Sequence, residues 1–450
     1  MKKILVFVFL LLCGASQSAQ IVNVEYIHDT INQVWNVSVP YNSTLTNPHV
    51  VANMKYLLTA IDATNKKLGT TTNYRASAYA TNAAVDTIAT DSAIDNLVEP
   101  KYKFFITTTD DTNTFSFAIS AKGTYYIDWG DGKTEIISKT DLEKKTYTHN
   151  YTSMQKWNIK LGGRATAYSS VEKTPAISFY NNLKLAAIDG SLGRIFPTLA
   201  DGSQPVFFET FMWCVNLASG IPSDLFKGIR GAPVEYMFGF LFYRCRTLSG
   251  EIPENLFSGL DGAPVKELFH ATFYETNLTG TIPEKLFAGI KGPPAFGVFG
   301  STFQNSTGFT SIPAGLFSGI VGVPAPNMFA STFMNCSGLT SVSDKLFANI
   351  SGNATPYMFY ATFFKCSSLK SIPENLFGNI SGAAQDYMFA RTFYGCTSLT
   401  GPSARINGKF LYNIWPSATD IQAGSAYGES IGLTDYANIP STWRKTLDLS

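Results

Sequence analysis

Phenylalanine recurs through the second half of this 450-residue chain at an almost constant spacing, and this restricts the fold more than any other feature. Between residues 211 and 393 the spacings are 31, 31, 30, 30, 30 and 30. Thirty residues cannot enclose a hydrophobic core alone, so each unit must bury its apolar face against copies of itself. Three apolar series share the period: Phe211, Phe242, Phe273, Phe303, Phe333, Phe363 and Phe393; the Leu-Phe pairs that end at Phe226, Phe257, Phe287, Phe317, Phe347 and Phe377; and Phe238, Phe269, Phe299, Phe329, Phe359 and Phe389.

One copy of the unit predicts its own local structure. Leu369-Lys370-Ser371-Ile372 is typical of a short extended piece, and Pro373 then favours the first turn of a helix that Gly382 ends. A second short helix is predicted over Met388–Thr392, because Phe389 and Phe393 lie four residues apart. A short strand followed by two short helices is the plan of a leucine-rich-repeat solenoid. The expected fold class is therefore an α/β solenoid with 30-residue repeats.

The repeated sequence pattern, TFxxCxxLxxIPxxLF, closely resembles the BspA-like leucine-rich-repeat proteins of bacterial surfaces. It appears at Phe333–Leu339, Phe363–Pro373 and Phe393–Leu399, and the resemblance covers residues 205–400. The unit departs from the family in its greater length, which includes a Gly-Ile-x-Gly-x-Pro loop, and in lacking the common Asn at the turn. The resemblance implies a solenoid over 171–402 with a degenerate first unit at Ile177–Ile188. A C-terminal cap over 403–450 would then cover the last apolar face.

A β-rich segment precedes the repeats, and we predict a small β-sandwich over 99–170. The stretches FSFAI, YYIDWGDGK and WNIKL alternate or end in an Asp-Gly turn. Tyr126–Gly132, His149–Tyr151 and Trp157–Leu161 together resemble the PKD-like domains of bacterial surface proteins, which implies a spacer or adhesion module. Asp128 and Asp131 are more simply explained by the backbone needs of a turn, with calcium binding as the alternative.

The N-terminal residues have the pattern of a secretory signal peptide over 1–19, with two lysines, an apolar run and small residues before the cleavage site. Cys13 raises the alternative of a lipid anchor, but the large Leu12 before it does not fit that signal. Residues 20–98 are polar and carry one stretch with a narrow apolar stripe, so we expect a partly helical stalk there. No later segment of the sequence predicts a membrane span.

A small residue stands three positions after each phenylalanine of the first series. Hydroxyl residues replace Cys in two units, and a metal ligand or redox pair would not survive that exchange. A small, weakly polar group that packs beside the backbone would survive it, so we predict packing. Disulfides between successive units stay open as an alternative, although the mature chain would hold an odd number of cysteines. The seven positions are Cys214, Cys245, Thr276, Ser306, Cys336, Cys366 and Cys396.

The sequence offers little sign of catalysis, and we predict no enzymatic activity, cofactor or metal. The four histidines are scattered, and no phosphate-binding loop or nucleophile motif appears. Glu254, Glu284 and Glu374 recur after proline, where the first turn of a helix would favour them. The formal net charge is +1 and only 15% of residues are charged, so nothing indicates nucleic acid or anionic lipid as a partner.

The first functional hypothesis is a secreted or surface-displayed bacterial binding protein, similar to an adhesin, whose solenoid contacts a protein or glycan partner. Contact positions are expected between the residues of the three apolar series, as at Lys370, Glu251 and Arg244, although the partner and the binding face stay unknown. The second is a structural envelope or matrix component that self-associates without a foreign ligand. The third, and least favoured, is a hydrolase that uses the solenoid for targeting.

Overall fold

The computed structural model describes residues 101–445, and apart from Lys101 these belong to one compact unit that begins at Tyr102. The predicted signal peptide at 1–19 and the predicted stalk at 20–98 lie outside the described residues. The described chain is mostly strand and turn, with only 4% helix. No helix within it has the length and apolar character needed to cross a membrane.

Antiparallel strands form two sheets at the start of the described chain. The larger sheet has the order β4-β3-β6-β1-β8 and the smaller has the order β5-β2-β7. Side chains from both sheets share one core, in which the Phe117 ring of the smaller sheet lies 5.9 Å from the Trp129 ring next to β3. The strands are β1 Tyr102–Thr108, β2 Thr112–Ile119, β3 Lys122–Asp128, β4 Thr134–Lys139, β5 Lys145–Gln155, β6 Asn158–Ala167, β7 Ile177–Ser178 and β8 Leu185–Gly190.

Strands β7 and β8 join these sheets to the repeats. β7 pairs with β2 and β8 pairs with β1, although both were predicted as parts of a degenerate first repeat. Just beyond β7, the Phe179 N–H donates to the Thr210 carbonyl of the next repeat at 2.7 Å. The segment 177–190 therefore completes the sheets and starts the repeat array, so the sheets extend past the predicted boundary between 170 and 171.

Successive repeats are joined by backbone hydrogen bonds made by every second residue. Around Phe333, the N–H groups of Ser331, Phe333 and Asn335 donate to carbonyls of the next repeat at 2.7–2.9 Å. The intervening residues donate instead to the carbonyl three positions earlier, as in Cys336 N–H to Phe333 O at 3.1 Å. We call each such row of turns a rung and name it by its phenylalanine of the first series.

The predicted helices of the repeat are wrong, and with them the α component of the predicted fold class. In the rung of Phe333 a left-handed residue recurs every fourth position, at Asn327, Ser331 and Asn335, with φ of 55–57°. A right-handed helix excludes such residues, so the chain makes consecutive tight turns. The four-residue spacing of Phe389 and Phe393 reflects this turn period rather than a helical face. The α-helices among residues 101–445 all follow the repeats: α1 Leu411–Ile414, α2 Asp420–Ala423 and α3 Ser441–Arg444, with a 3₁₀ helix at Tyr436–Asn438.

The predicted extended pieces are strands in several repeats. They form a four-stranded parallel sheet of order β12-β11-β10-β9. The piece around Lys370 is not itself a strand, but its N–H and C=O still bond to Thr340 and Thr400 of the neighbouring repeats. The strands are β9 Ser249–Gly250, β10 Asn277–Thr281, β11 Gly308–Ile312 and β12 Ser341–Val342; β13 Ser351–Asn353 pairs with β14 Asn379–Ser381, and β15 Arg405–Ile406 pairs with β16 Lys409–Phe410.

The first phenylalanine series packs as a stacked aromatic column that extends beyond the seven predicted members. Its neighbouring ring centroids are 5.3–6.2 Å apart, with interplanar angles of 3–20°. Phe179 begins the column, and Tyr427 and Trp443 continue it through the predicted cap. The N–H groups of residues 391, 393 and 395 bond to the segment of Tyr427, which therefore forms a further rung.

Candidate binding surface

The predicted Cys, Ser and Thr positions lie inside the array and donate hydrogen bonds to buried carbonyls. Each of the five cysteines is buried with its Sγ 2.9–3.1 Å from a phenylalanine carbonyl oxygen of the preceding repeat. Ser306 does the same towards Phe273 O at 2.7 Å. Thr276 differs, since its hydroxyl bonds to Phe273 O within its own rung and to the Ser306 hydroxyl. All seven side chains thus bring a small donor to backbone that water cannot reach.

The five cysteines among residues 101–445 are free thiols. Burial raises the pKa of Cys214 and of Cys396 to about 12, so both remain neutral S–H donors at physiological pH. A neutral, buried thiol is a poor nucleophile and a poor metal ligand. The buried cysteines therefore contribute to the core rather than to a reactive site.

Sequence reasoning missed one further donor of this kind, Ser430, and a whole column of threonine donors. Ser430 donates to Phe393 O at 2.6 Å and repeats the three-residue offset from its aromatic partner, Tyr427. A second column consists of the threonines immediately before the phenylalanines, whose hydroxyls donate to carbonyls of the preceding repeat at 2.9–3.0 Å. The recurring Thr-Phe dipeptide was the available signal. The residues are Thr210, Thr272, Thr302, Thr332, Thr362 and Thr392.

The outward face of the rungs is formed by residues at the left-handed positions, most of which are partly exposed, although some, among them Tyr236, Ala271 and Ala361, are buried. The rungs of Phe303 and Phe333 place Gly, Ser and Asn there, and Gly and Asn are the residues that tolerate this backbone best. The rung of Phe242 instead places Tyr236, Phe240 and Arg244 there, with φ of 54–60°, and Trp213 has φ of 64° in the rung before it. Bulky residues in this region carry backbone strain, which points to a role other than turn formation.

Around Arg244 these residues form a mixed aromatic and charged group. The Arg244 guanidinium lies 4.5 Å from the Trp213 ring centroid and 5.4 Å from that of Tyr243. Tyr243 stacks on Tyr274 with centroids 4.4 Å apart. Both oxygens of Glu275 are engaged, since the Nε atoms of Arg244 and Arg246 each lie 2.8 Å from one of them. We call Trp213, Tyr243, Arg244, Arg246, Tyr274 and Glu275 the Arg244 cluster.

An amide row continues from the Arg244 cluster along the array. The Asn305 amide donates to the Tyr274 hydroxyl at 2.9 Å, and the Asn335 amide donates to Asn305 Oδ1 at 2.7 Å. A second aromatic group follows, in which Tyr357 stacks on Tyr387 at 4.5 Å. The face thus carries two aromatic groups separated by rungs with small and amide side chains.

The predicted contact positions do not share one segment of the repeat. Arg244 lies on a rung, within the Arg244 cluster. Glu251 and Lys370 lie in or beside the extended pieces, and both are exposed. The glutamates after proline also differ from expectation because their segments are turns without a helix dipole. Glu284, for example, accepts a hydrogen bond from the Gly315 N–H of the next repeat at 3.1 Å.

The Asp-Gly turn before β4 uses its carboxylates within the protein. Asp128 accepts hydrogen bonds from the Gly130 N–H at 3.0 Å and from Lys160 at 2.9 Å, and the bond from Lys160 lowers the pKa of Asp128. Asp131 accepts from the Lys133 N–H at 3.0 Å and lies 2.9 Å from His149 Nε2. Backbone N–H groups of the turn engage one oxygen of each carboxylate, and the side chains of Lys160 and His149 engage the other two. Over residues 101–445, no three His, Cys, Asp or Glu side chains converge as a metal-ligand set.

In comparisons with protein families, curated protein sequences and solved structures, no match to this chain was found.

Proposed function

We propose that this chain is a secreted or surface-displayed bacterial binding protein, similar to an adhesin, that contacts a protein or glycan partner through its repeats. The repeats would form a leucine-rich-repeat-type solenoid, preceded by a PKD-like β-sandwich and exported by the N-terminal signal peptide. The chain would act without a cofactor and without catalysing a reaction.

The observation that carries this proposal is the outward face of the rungs. Backbone N–H groups there are used between repeats or within turns, so the exposed chemistry belongs to side chains. Several of those side chains are large and occupy left-handed positions, as at Trp213 and Phe240, where the array alone would favour Asn or Gly. Aromatic residues and arginine are also the types that dominate energetically important contacts in protein interfaces.

Binding of the complete mature chain, residues 20–450, to extracellular-matrix proteins, a glycan array and whole cells tests the proposal. We expect saturable binding that weakens when the partly exposed aromatic groups are replaced. Trp213→Ala and Tyr357→Ala probe the two aromatic groups, and Lys345→Ala, at an exposed residue shortly after β12, serves as the control. Concentration-dependent self-assembly without binding to any probe would instead favour the structural envelope or matrix component.

A further inference from the structure

We infer that the Arg244 cluster is a docking site for an acidic segment of a protein partner. This inference rests on the proposed binding function and assigns it to one place and one partner chemistry.

The first argument is charge. Two guanidinium groups share the single carboxylate of Glu275, so the cluster carries one excess positive charge. Both arginines make this contact through Nε, and the Arg246 side chain is 53% exposed, so the carboxylate of a partner can reach its guanidinium. Arginine binds carboxylates through paired N–H groups, and this geometry favours Asp or Glu on the partner.

The second argument is preorganisation. The Arg244 guanidinium lies against both the Trp213 and Tyr243 rings, and Tyr243 stacks in turn on Tyr274. Side chains that are already ordered lose little conformational entropy when a partner binds. Trp, Tyr and Arg are the residues most enriched among binding hot spots.

The third argument concerns the mode of binding: the partner is recognised through side chains, not by adding a β-strand to the backbone of the rungs. The N–H groups of Trp213 and Arg244 donate to the Tyr243 and Tyr274 carbonyls at 2.8 Å. The backbone of these rungs therefore has no free edge for an extended peptide to pair with. Recognition must use side chains, and the side chains here are cationic and aromatic.

The test uses the complete mature chain and a random peptide library displayed on phage. Selected peptides should be enriched in Asp and Glu, and one synthetic representative should bind at least about tenfold more tightly than its Glu→Gln and Asp→Asn counterpart. Binding should weaken as salt is raised, because exposed charges are screened.

Three variants then locate the site. Arg246→Gln should weaken binding of the acidic peptide severalfold, and its side chain is 53% exposed, so the fold should tolerate the change. Glu275→Gln should strengthen binding, because it removes the carboxylate that competes for both arginines. Lys365→Gln is the control, since exposed Lys365 occupies the left-handed position equivalent to that of Arg244 four rungs along, outside the cluster, and it should bind like the parent.

Selection of peptides without acidic enrichment, equal binding by the Arg246 and Lys365 variants, or weaker binding by Glu275→Gln would overturn the inference. Binding to alginate with the same variant pattern, in place of peptides, would overturn the choice of a protein partner. If the parent binds cells or matrix proteins and Arg246→Gln and Glu275→Gln do so equally, the proposed function stands and this site is wrong. If acidic peptides bind with the expected pattern but no extracellular probe does, the site stands and the proposed function is wrong.

Discussion

Single residues in the core of the array are selected for their ability to donate a hydrogen bond in a small volume. Cys366 shows this, because its Sγ lies 3.0 Å from Phe333 O and the side chain is fully buried. The natural exchange of Cys for Ser at position 306 keeps the donor, whereas Ala would leave a buried carbonyl without one. Leaving such a group unpaired is more costly than the net gain from making the bond.

Cys366→Ala should therefore destabilise the protein by about 1–3 kcal/mol, and Cys366→Ser by less. The measurement is chemical unfolding followed by near-ultraviolet circular dichroism. Ser306→Cys, the reverse exchange, is the control: it keeps the donor to Phe273 O and should cost less stability than Cys366→Ala. Equal losses for the Ala and Ser variants would show that the thiol acts through volume alone.

The buried thiols also predict a response to alkaline pH. Burial raises the pKa of Cys214 and Cys396 from the ordinary value of 9.0 to about 12, so the unfolded chain loses these protons at lower pH than the folded chain. Their contribution to stability is complete below pH 9 and declines progressively between pH 9 and 12. Unfolding midpoints measured from pH 7 to pH 10 should fall above pH 9. A variant with Ser at all five positions should show a smaller decline over that range, and an identical decline would contradict this cause.

At the scale of the element, the repeat shows that a helix and a series of tight turns can give the same apolar spacing in the sequence. An apolar spacing of four residues fits a helix, but here it arises from turns that contain one left-handed residue each. The presence of Asn, Ser and Gly at positions 297, 301, 305, 327, 331 and 335 was the available signal. Gly and Asn adopt left-handed φ most readily, and all three residue types are less favourable than Ala in a helix.

Ser331 distinguishes the two structures, because glycine and alanine have opposite effects in them. In a helix, Ala is more favourable than Gly by about 1 kcal/mol. At φ of 55°, Gly should instead be the more stable, since the left-handed region costs a residue with Cβ about 1–2 kcal/mol. Unfolding of Ser331→Gly and Ser331→Ala should therefore show the Gly variant above the Ala variant. The reverse order would support the helix.

At the scale of the whole molecule, one hydrophobic core continues from the sheets into the repeats. Phe104 of β1 lies 6.0 Å from Phe179 and 6.5 Å from Phe211, the first two members of the aromatic column. At the other end, Tyr427 and Trp443 close the column within the predicted cap. A chain cut between the sheets and the repeats would expose part of this core.

A fragment of residues 99–170, which follows the predicted domain boundary, should therefore not fold stably alone. It lacks β7 and β8, the edge strands that pair with β2 and β1. We expect poor dispersion of its amide proton signals in NMR spectra, whereas a chain of residues 99–450 should show dispersed signals. A well-dispersed spectrum for the short fragment would support an independent domain with the predicted boundary.

Much of the array could be predicted from the sequence, because three apolar series with one period require each unit to pack against a copy of itself. The extended pieces and the Cys, Ser and Thr positions followed from the same period, and the β-rich segment before the repeats followed from its alternating residues and Asp-Gly turn. The candidate surface could not be predicted, apart from Arg244. Its members are separated by about one repeat in sequence and meet only when the rungs lie in register, as Arg244 and Glu275 do.

The sequence by itself determined that the chain repeats and which side chains face inward, since hydrophobic burial acts through composition and spacing. The tertiary structure decided the rest. The repeats form turns where helices were predicted, because hydrogen bonds between repeats satisfy the backbone without a helix. The tertiary structure extended the aromatic column through Tyr427 and Trp443, which differ in residue type and spacing from the repeats. It also joined the sheets to the array, because strand partners are chosen by contacts between segments distant in the chain.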